Sequence, residues 1–333
     1  MLKRTLIVVP LSLALGLVGL YLVVGGAVFR AETYRVQNLS VSVVILIVIT
    51  FLAKWVSPAV RIGLLCRGQK IPLPYRSALL VHLTAMFAAS LAPQNTGFAP
   101  ATVAALSHLG VPVGRGIGVA VQVLMLDLIF FAWSVPTGLG YLIVSDTLQL
   151  PPDATVAAFV AACLAIAAAA VLSRRPQLVA HLILAVARWR LVARFASRLQ
   201  RVARDYYRGA GAYLKMPASF WLKLHLVTAA SWLGGFVLLW ALLRLYGVDS
   251  SLLAILAILS SVTVVSHFVP TPGAAGFMEA AVGLSIGATR GGGAAALLVW
   301  RLASFYVIFV LGPPAGWLLY LSRPVATTGR KLL

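Results

Sequence analysis

The sequence predicts an all-α polytopic membrane protein, with about six full spans and two broken helical hairpins arranged as an inverted repeat. Three observations lead to this prediction. Hydrophobic residues make up 61% of the 333 residues and charged residues only 10%, which differs strongly from a soluble globular domain. Apolar runs long enough to cross a hydrocarbon core of about 30 Å recur along the chain. Two further apolar regions are interrupted by prolines and glycines that would lie at membrane depth.

Six uninterrupted apolar runs are the candidate spans, each about as long as the ~20 residues that a transmembrane helix needs. They lie near 5–28, 40–60, 117–144, 155–172, 218–246 and 294–322. No segment between them is long and polar enough for a soluble domain, so one integral membrane domain is predicted over 1–333. The first run follows Lys3-Arg4 but exceeds the roughly 7–15 residues of a signal-peptide core, which favours an uncleaved span.

Two apolar regions, 77–109 and 251–289, contain helix breakers. The first break reads PQNTGFAP at 93–100, and the second reads PTPGAAG at 270–276. Proline removes a backbone donor and clashes with the preceding helical turn. The apolar pieces of the first region are too short to cross a bilayer, because a helix rises only about 1.5 Å per residue. Both regions are interpreted as re-entrant helical hairpins, and for the second region two true spans are the alternative.

The distribution of basic residues predicts the topology. With a cytoplasmic N-terminus and hairpins that return to the side they enter from, most Lys and Arg residues, Arg61 among them, fall on the cytoplasmic side. The positive-inside rule then places both termini in the cytoplasm. On this topology the two hairpins enter from opposite sides. Broken helices at corresponding places in oppositely oriented halves are the mark of inverted-repeat transporters, so the halves are predicted at about 40–172 and 218–322.

The polar segment 174–215 between the halves is interpreted as an amphipathic cytoplasmic helix, with arginines on one face at helical spacing. These are Arg190, Arg194, Arg198, Arg201 and Arg208. Such a helix suits an anionic leaflet, to which each basic residue contributes ~1 kcal/mol of attraction. It serves either as a topology determinant and surface anchor or to gather anionic headgroups. Because topology explains the net charge of +20, no nucleic-acid partner is predicted.

A carboxylate follows the second break, and a basic residue lies in the last predicted span. An ionised Glu279 at the bilayer centre would cost at least ~2.5–3.5 kcal/mol, so it should be paired, protonated or hydrated. Arg301 is the expected intramembrane partner. The pair either locks the hairpin to the last span or switches, with Arg301 binding a lipid phosphate and Glu279 taking a proton or an ammonium group. The helix start after Gly273 would add backbone donors for the same anion.

Three other polar sites have two interpretations each. Asp127 either titrates in a proton-coupled cycle or pairs with Lys54 or a serine. His267 either relays protons or packs as a hydrogen-bonded side chain. Gln94 and Asn95 either line a polar path or cap the hairpin, and capping is favoured.

The pattern Pro-x-Pro-Gly-x-x-Gly-x-x-Glu at 270–279, followed by Trp300-Arg301, resembles the membrane domain of bacterial lysylphosphatidylglycerol synthases and of stand-alone flippase-like proteins. The resemblance extends over about 40–322. It implies movement of aminoacylated or glycosylated lipids between the leaflets of the bacterial inner membrane. The positions that it carries over are Pro270, Pro272, Gly273, Gly276, Glu279 and Arg301.

Two departures from the family pattern qualify the resemblance. The first break of the family carries an acidic and a basic residue after its glycine, whereas here Gly97 is followed by Phe98-Ala-Pro-Ala. The soluble aminoacyl-transferase domain of the full synthases is missing from the sequence, so synthesis of aminoacyl lipids is not expected.

The expected function is translocation, or flipping, of a phospholipid or lipid-linked headgroup by a transporter that is not an enzyme and uses no cofactor. The expected partners are anionic, aminoacylated or glycosylated membrane lipids, and the sequence leaves open whether the chain forms a homo-oligomer. Two alternatives remain. The protein is a non-transporting accessory subunit of envelope lipid biosynthesis, or an integral membrane lipid transferase, although no arrangement of acids or nucleophiles typical of such an enzyme is visible.

Overall fold

The computed structural model describes residues 34–145, 175–186, 196–287 and 292–322, with a few isolated positions outside these ranges. Within them the backbone is helical apart from short loops and one isolated bridge, which confirms the all-α prediction for this part of the chain. The helices are α1 Val41–Gly68, α2 Tyr75–Ser90, α3 Phe98–His108, α4 Val113–Val144, α5 Pro176–Val186, α6 Ala196–Tyr213, α7 Ala218–Leu245, α8 Leu252–Ser266, α9 Phe277–Ser285, α10 Gly292–Arg301 and α11 Ile308–Leu321. A π-helical turn, Leu302–Tyr306, joins α10 to α11.

Within the described ranges, four helical segments are long and apolar enough to cross a membrane. They are α1, α4, α7 and the continuous unit Gly292–Leu321 formed by α10, the π turn and α11. These segments correspond to the predicted spans at 40–60, 117–144, 218–246 and 294–322. The predicted spans at 5–28 and 155–172 and both chain termini lie outside the described ranges.

Two shorter helix pairs flank the breaks and open onto opposite ends of the bundle. The outer end of the α2–α3 pair lies beside the end of α11, where His108 Nε2 donates to the Tyr320 carbonyl over 3.1 Å. The outer end of the α8–α9 pair lies at the other end of the bundle. There the hydroxyls of Ser251 and Tyr141, at the end of α4, share a 2.9 Å hydrogen bond.

The two breaks contact each other and begin with the same backbone turn. An antiparallel bridge joins Pro93 to Pro272. After Pro93, Gln94 and Asn95 both have φ +54°, and after Pro272, Gly273 and Ala274 have φ +60° and +50°. Three of these four are not glycine, and such residues rarely adopt the left-handed region. In each break the third amide after the proline donates to the proline carbonyl, and a helix begins at a phenylalanine five residues after the proline.

The helices also recur at a nearly constant spacing along the chain. The starts of α7 and α8 follow those of α1 and α2 by the same interval, and the starts of α9 and α10 follow those of α3 and α4 by an interval only slightly longer. Two apolar cores hold the bundle together. One is formed mainly by α7 to α10 with Phe130 and Phe131 of α4. The other is formed mainly by α1 to α4 with Ala315 and Leu319 of α11. The second core also includes Tyr213 of α6 and Leu224 of α7, so each core draws residues from helices of the other set.

Candidate functional site

Glu279 and Arg301 form a buried ion pair beside the second break. Arg301 Nε donates to Glu279 Oε1 over 2.7 Å, and the two side chains are only 5% and 2% exposed, in the order Arg301 and Glu279. The Tyr306 hydroxyl donates to the same carboxylate oxygen over 3.0 Å. The backbone amide of Gly276 donates to Oε2 over 2.8 Å. Both oxygens of the carboxylate are therefore hydrogen-bonded, which offsets the cost of burying its charge.

Local backbone geometry brings this pair together. Gly276 precedes α9 with φ +86°, so its amide points at the carboxylate of Glu279 in the first helical turn. Arg301 ends α10, and the π turn that follows places Tyr306 on the same carboxylate. π-helical turns within α-helices are frequently found at functional sites. The sequence pattern located the glycine, the acid and the arginine, but a π turn has no signal in composition.

Arg301 retains hydrogen-bonding capacity beyond its bond to Glu279. Among the described residues its Nη2 has no hydrogen-bond partner, although the atom is buried. The guanidinium carbon lies 4.6 Å from the centroid of the Phe305 ring and 5.6 Å from that of Tyr306. Aromatic faces stabilise the cation, but they do not accept the Nη2 hydrogens as an oxygen would. A buried charged donor without a partner is costly, so this atom is suited to an oxygen ligand.

A cavity of about 120 Å³ lies between the two breaks. Because one water molecule occupies about 30 Å³ in the liquid, the cavity has room for roughly four waters. Side chains from α1, α2, α7, α8, the first break, α10 and the π turn contribute polar groups to its wall. These are Lys54, Ser90, Asn95, Trp232, Thr263, Ser266, His267, Arg301 and Ser304. Three of the residues predicted to line a substrate path, Asn95, His267 and Arg301, are therefore brought to one cavity.

A second buried ion pair lies in the first half of the molecule. Arg61 Nη1 and Nη2 donate to the two oxygens of Asp127 over 2.5 and 3.3 Å. The indole of Trp232 donates to Asp127 Oδ1 over 2.8 Å. The direct partner of Asp127 is thus Arg61, and the prediction that Asp127 pairs with Lys54 or a serine was wrong. Arg61, which the sequence analysis counted among the charges of the cytoplasmic side, lies within α1 and is 5% exposed.

Lys54 is a cavity residue that the sequence analysis missed as a site. Its ammonium lies 5.1 Å from the centroid of the Trp232 ring, and no described side chain forms an ion pair with it. Trp232 therefore connects Lys54, through its ring face, to Asp127, through its indole N–H. A lysine in the middle of the apolar run 40–60 is itself an intramembrane charge, and this signal could have identified it.

The remaining residues predicted at the breaks have mainly structural contacts. A Cβ on Gly97 would clash with the backbone carbonyl of Ala88, and one on Gly273 would clash with the Phe305 ring. Gly97 precedes α3 without a side-chain cap, so the expected capping by Gln94 or Asn95 is not found in this turn. Pro272 forms the bridge to the first break, and Pro270 is exposed.

The contacts of His267 combine features of its two predicted roles. Its Nδ1 donates to the Thr263 carbonyl over 2.7 Å, and its ring centroid lies 6.4 Å from that of Phe131. It is therefore a hydrogen-bonded side chain that also lines the cavity.

The predicted membrane-surface helix corresponds to α6. Arg201 and Arg208 are exposed, whereas Tyr206 is buried against the bundle. Arg190 and Arg194 lie outside the described residues, and Arg198 lies in α6 with a side chain that is not described. In the ranges that the structure covers, no group of three or more His, Cys, Asp or Glu residues could hold a metal ion.

Comparison with known families identifies the chain. The sequence profile of the lysylphosphatidylglycerol synthase TM region matches residues 9–312 of 333. The chain belongs to this family. The range shared with the family includes both breaks, both buried ion pairs and every side chain that lines the cavity. Membership and the four apolar segments establish a multi-pass membrane protein and indicate a role connected with membrane lipids. A comparison with curated proteins found no significant match.

Proposed function

We propose that this protein translocates a phospholipid or a lipid-linked headgroup between the leaflets of the bacterial inner membrane. The observation that carries the proposal is the cavity between the two breaks, with Arg301 of the buried Glu279–Arg301 pair at its wall. Ionisable residues at membrane depth are costly and mark substrate or proton pathways. Irregular backbone at that depth is tolerated where protein or a wet cavity surrounds it.

On this proposal the α2–α3 and α8–α9 pairs are re-entrant hairpins that enter from opposite sides, and the two halves form an inverted repeat. The common backbone turn, the near-constant helix spacing and the opposite outer ends of the pairs support it. The alternative of two true spans in the second region is disfavoured, because the 9 residues of α9 extend only about 14 Å. In inverted-repeat transporters the substrate site lies at the repeat interface, which is where the cavity lies.

The transport step that we propose is a change of partner at Arg301. In the structure, Arg301 uses Nε towards Glu279, while Nη2 remains without a partner among the described residues. The planar guanidinium can therefore bind a phosphate oxygen before its contact with Glu279 breaks. Release of Glu279 would then leave a carboxylate to take up a proton or the ammonium of an aminoacylated headgroup.

Reconstituted protein tests this function directly. Headgroup-labelled anionic and aminoacylated lipids are placed in one leaflet of proteoliposomes, and their appearance in the other leaflet is followed over time. We expect Glu279→Gln to slow this movement at least about tenfold, because loss of a charged hydrogen-bonding partner is worth ~1.5–3 kcal/mol. The matched control is Arg244→Gln, since Arg244 and Asp249 form an exposed ion pair away from the cavity.

The results separate translocation from the alternatives. Unchanged movement in the double variant Glu279→Ala, Arg301→Ala would refute the mechanism. Absence of movement in the unmodified protein, with each lipid tried, would refute translocation of those lipids and favour an accessory subunit. For each variant, thermal unfolding in detergent checks that the protein is folded before its transport rate is compared.

A further inference from the structure

We infer that the cavity between the breaks binds the phosphodiester monoanion of a glycerophospholipid, with Lys54 as its counter-ion. The inference rests on the proposed function and specifies the chemical group that is recognised. It assigns a role to Lys54, which takes part in neither of the two buried ion pairs described above.

The first argument is the charge balance around the cavity. Arg301 is neutralised by Glu279, and Arg61 by Asp127. His267 donates from Nδ1 to a backbone carbonyl, which the neutral ring can do. Among these side chains three cations, Lys54, Arg61 and Arg301, stand against two carboxylates, which leaves one positive charge in excess, and Lys54 is the cation without an ion pair. An uncompensated cation in a low-dielectric environment is costly, so a ligand with one negative charge is favoured.

The second argument is the set of available donors. The hydroxyls of Ser90 and Ser266 already donate to backbone carbonyls of their own helices. Arg301 Nη2 is buried and has no partner in the described part of the chain. Lys54 contributes an ammonium and Asn95 an amide to the same wall. These residues come from α10, α1 and the first break, so both halves of the molecule contribute hydrogen-bond donors to the residues that line the cavity, as suits a group with several acceptor oxygens.

The third argument is size. The volume of about 120 Å³ is slightly below that of an engineered cavity of about 150 Å³ that holds benzene, with its six heavy atoms. A phosphodiester centre, with one phosphorus and four oxygens, is of this size. A lysyl or sugar headgroup is larger and would have to extend out of the cavity. The site is thus suited to the linkage that glycerophospholipids share, and a phosphomonoester, with about −1.5 to −2 charge, would exceed the single positive charge.

Binding of a soluble short-chain lipid tests the inference. Purified full-length protein in an uncharged detergent is titrated by calorimetry with dihexanoyl phosphatidylglycerol and, separately, with dihexanoyl glycerol, which lacks the phosphate. We expect the phospholipid alone to bind. Lys54→Gln should weaken this binding at least about tenfold, as expected for loss of a charged partner. Lys54→Arg should keep most of the affinity, because it retains the positive charge.

The matched control is Lys223→Gln, which removes the same charge from an exposed position on α7 and should leave binding unchanged. Equal affinity in Lys54→Gln and the unmodified protein would overturn the inference. So would equal losses in Lys54→Gln and Lys54→Arg, since charge would then not be the cause.

A competition experiment with inorganic phosphate shows whether the site binds a free phosphate anion or only the phosphate group of a lipid. Effective competition by inorganic phosphate, which carries more than one negative charge on average at neutral pH, would overturn the preference for a phosphodiester monoanion and indicate a general phosphate site. Lys54-dependent binding of the lipid without such competition supports a site that also requires the acyl chains. If binding depends on Lys54 but proteoliposomes show no lipid movement, the proposed function is refuted, whereas the phosphodiester site is supported. If lipid movement depends on Glu279 but lipid binding is independent of Lys54, the phosphodiester site is refuted, whereas the proposed function is supported.

Discussion

The two buried ion pairs in the described part of this molecule differ in which nitrogen of the arginine is left without a partner and in whether the arginine lines the cavity. Arg61 directs both terminal nitrogens to Asp127 and also donates to Thr228 over 3.3 Å. Arg301 contacts Glu279 through Nε and keeps Nη2 without a described partner. Nε of Arg61 is also buried without a described partner, but Arg61 does not line the cavity, whereas Arg301 does. A ligand in the cavity can therefore reach Arg301. We therefore assign the structural role to Arg61–Asp127 and the exchanging role to Glu279–Arg301.

The structural role of the Arg61–Asp127 pair predicts a rescue by a double substitution. Asp127→Asn should lower stability by up to about 3 kcal/mol, because removal of one partner leaves a buried charge without compensation. Arg61→Met combined with Asp127→Leu should recover most of that loss and retain lipid movement. Thermal unfolding in detergent and the proteoliposome assay measure the two effects. Loss of movement in a stable double variant would instead assign Asp127 to the transport cycle.

At the scale of single residues, the sequence predicted which charges lie within the membrane more successfully than it predicted their partners. Glu279 directly follows a recognisable break and Arg301 lies in the next apolar run, so their proximity could be expected. Arg61 lies just beyond the end of an apolar run, and its partner Asp127 lies three helices further along the chain, in α4. Hydropathy averages neighbours along the chain and therefore cannot show that a charge is compensated by another helix.

At the scale of elements, the two breaks depend on glycine for close packing. Gly97→Ala and Gly273→Ala should each destabilise the protein by about 1–3 kcal/mol, because the added methyl clashes with Ala88 or Phe305. At Gly273, whose φ is +60°, an L side chain adds roughly 1–2 kcal/mol of backbone strain. Chemical unfolding in mixed micelles measures these changes.

Gly140→Ala is the matched control for the break glycines. Gly140 lies within α4, and its added methyl would have no atom within 4 Å. Alanine there should be neutral or stabilising by about 0.5–1 kcal/mol, as expected in a helix interior. Equal stability of all three variants would show that the breaks tolerate looser packing than the contacts indicate.

The location of the breaks could be predicted, but their conformation could not. Proline and glycine mark where a helix ends, so the boundaries near 93 and 272 follow from composition. The left-handed conformation of Gln94 and Asn95 does not, since neither the residue types nor the local pattern require it. It matches the turn at Gly273 and Ala274, and the bridge Pro93–Pro272 places the two turns in contact. Because Pro93 and Pro272 are far apart in the sequence, the residues around each of them give no indication of this contact.

At the scale of the whole molecule, the two ends of the bundle differ in charge. The end near α6 carries exposed Arg201 and Arg208, whereas Asp249 lies at the opposite end, beside the start of α8. The positive-inside rule therefore predicts that the α6 end faces the cytoplasm. We expect a cysteine introduced by Asp249→Cys to react from outside the cell and one introduced by Lys70→Cys to react only after lysis.

A membrane-impermeant maleimide applied to spheroplasts measures this orientation. The background protein carries Cys66→Ala and Cys163→Ala, because these are the two native cysteines. The reverse labelling pattern would contradict the proposed topology, and labelling of both positions before lysis would indicate a mixture of orientations.

The two matching turns have unequal chemistry. Three residues after Gly276 stands Glu279, and three residues after Gly97 stands Pro100. The left-handed turn after each proline is thus duplicated, but the glycine before the helix differs in conformation, with φ −71° at Gly97 and +86° at Gly276. The carboxylate is present in only one copy. If the halves exchange conformations to open the cavity first to one leaflet and then to the other, the inward-open and outward-open states cannot be isoenergetic. With an empty cavity the molecule would rest facing one leaflet, favoured tenfold in population if the two states differ by about 1.4 kcal/mol. A bound lipid would have to overcome that intrinsic bias.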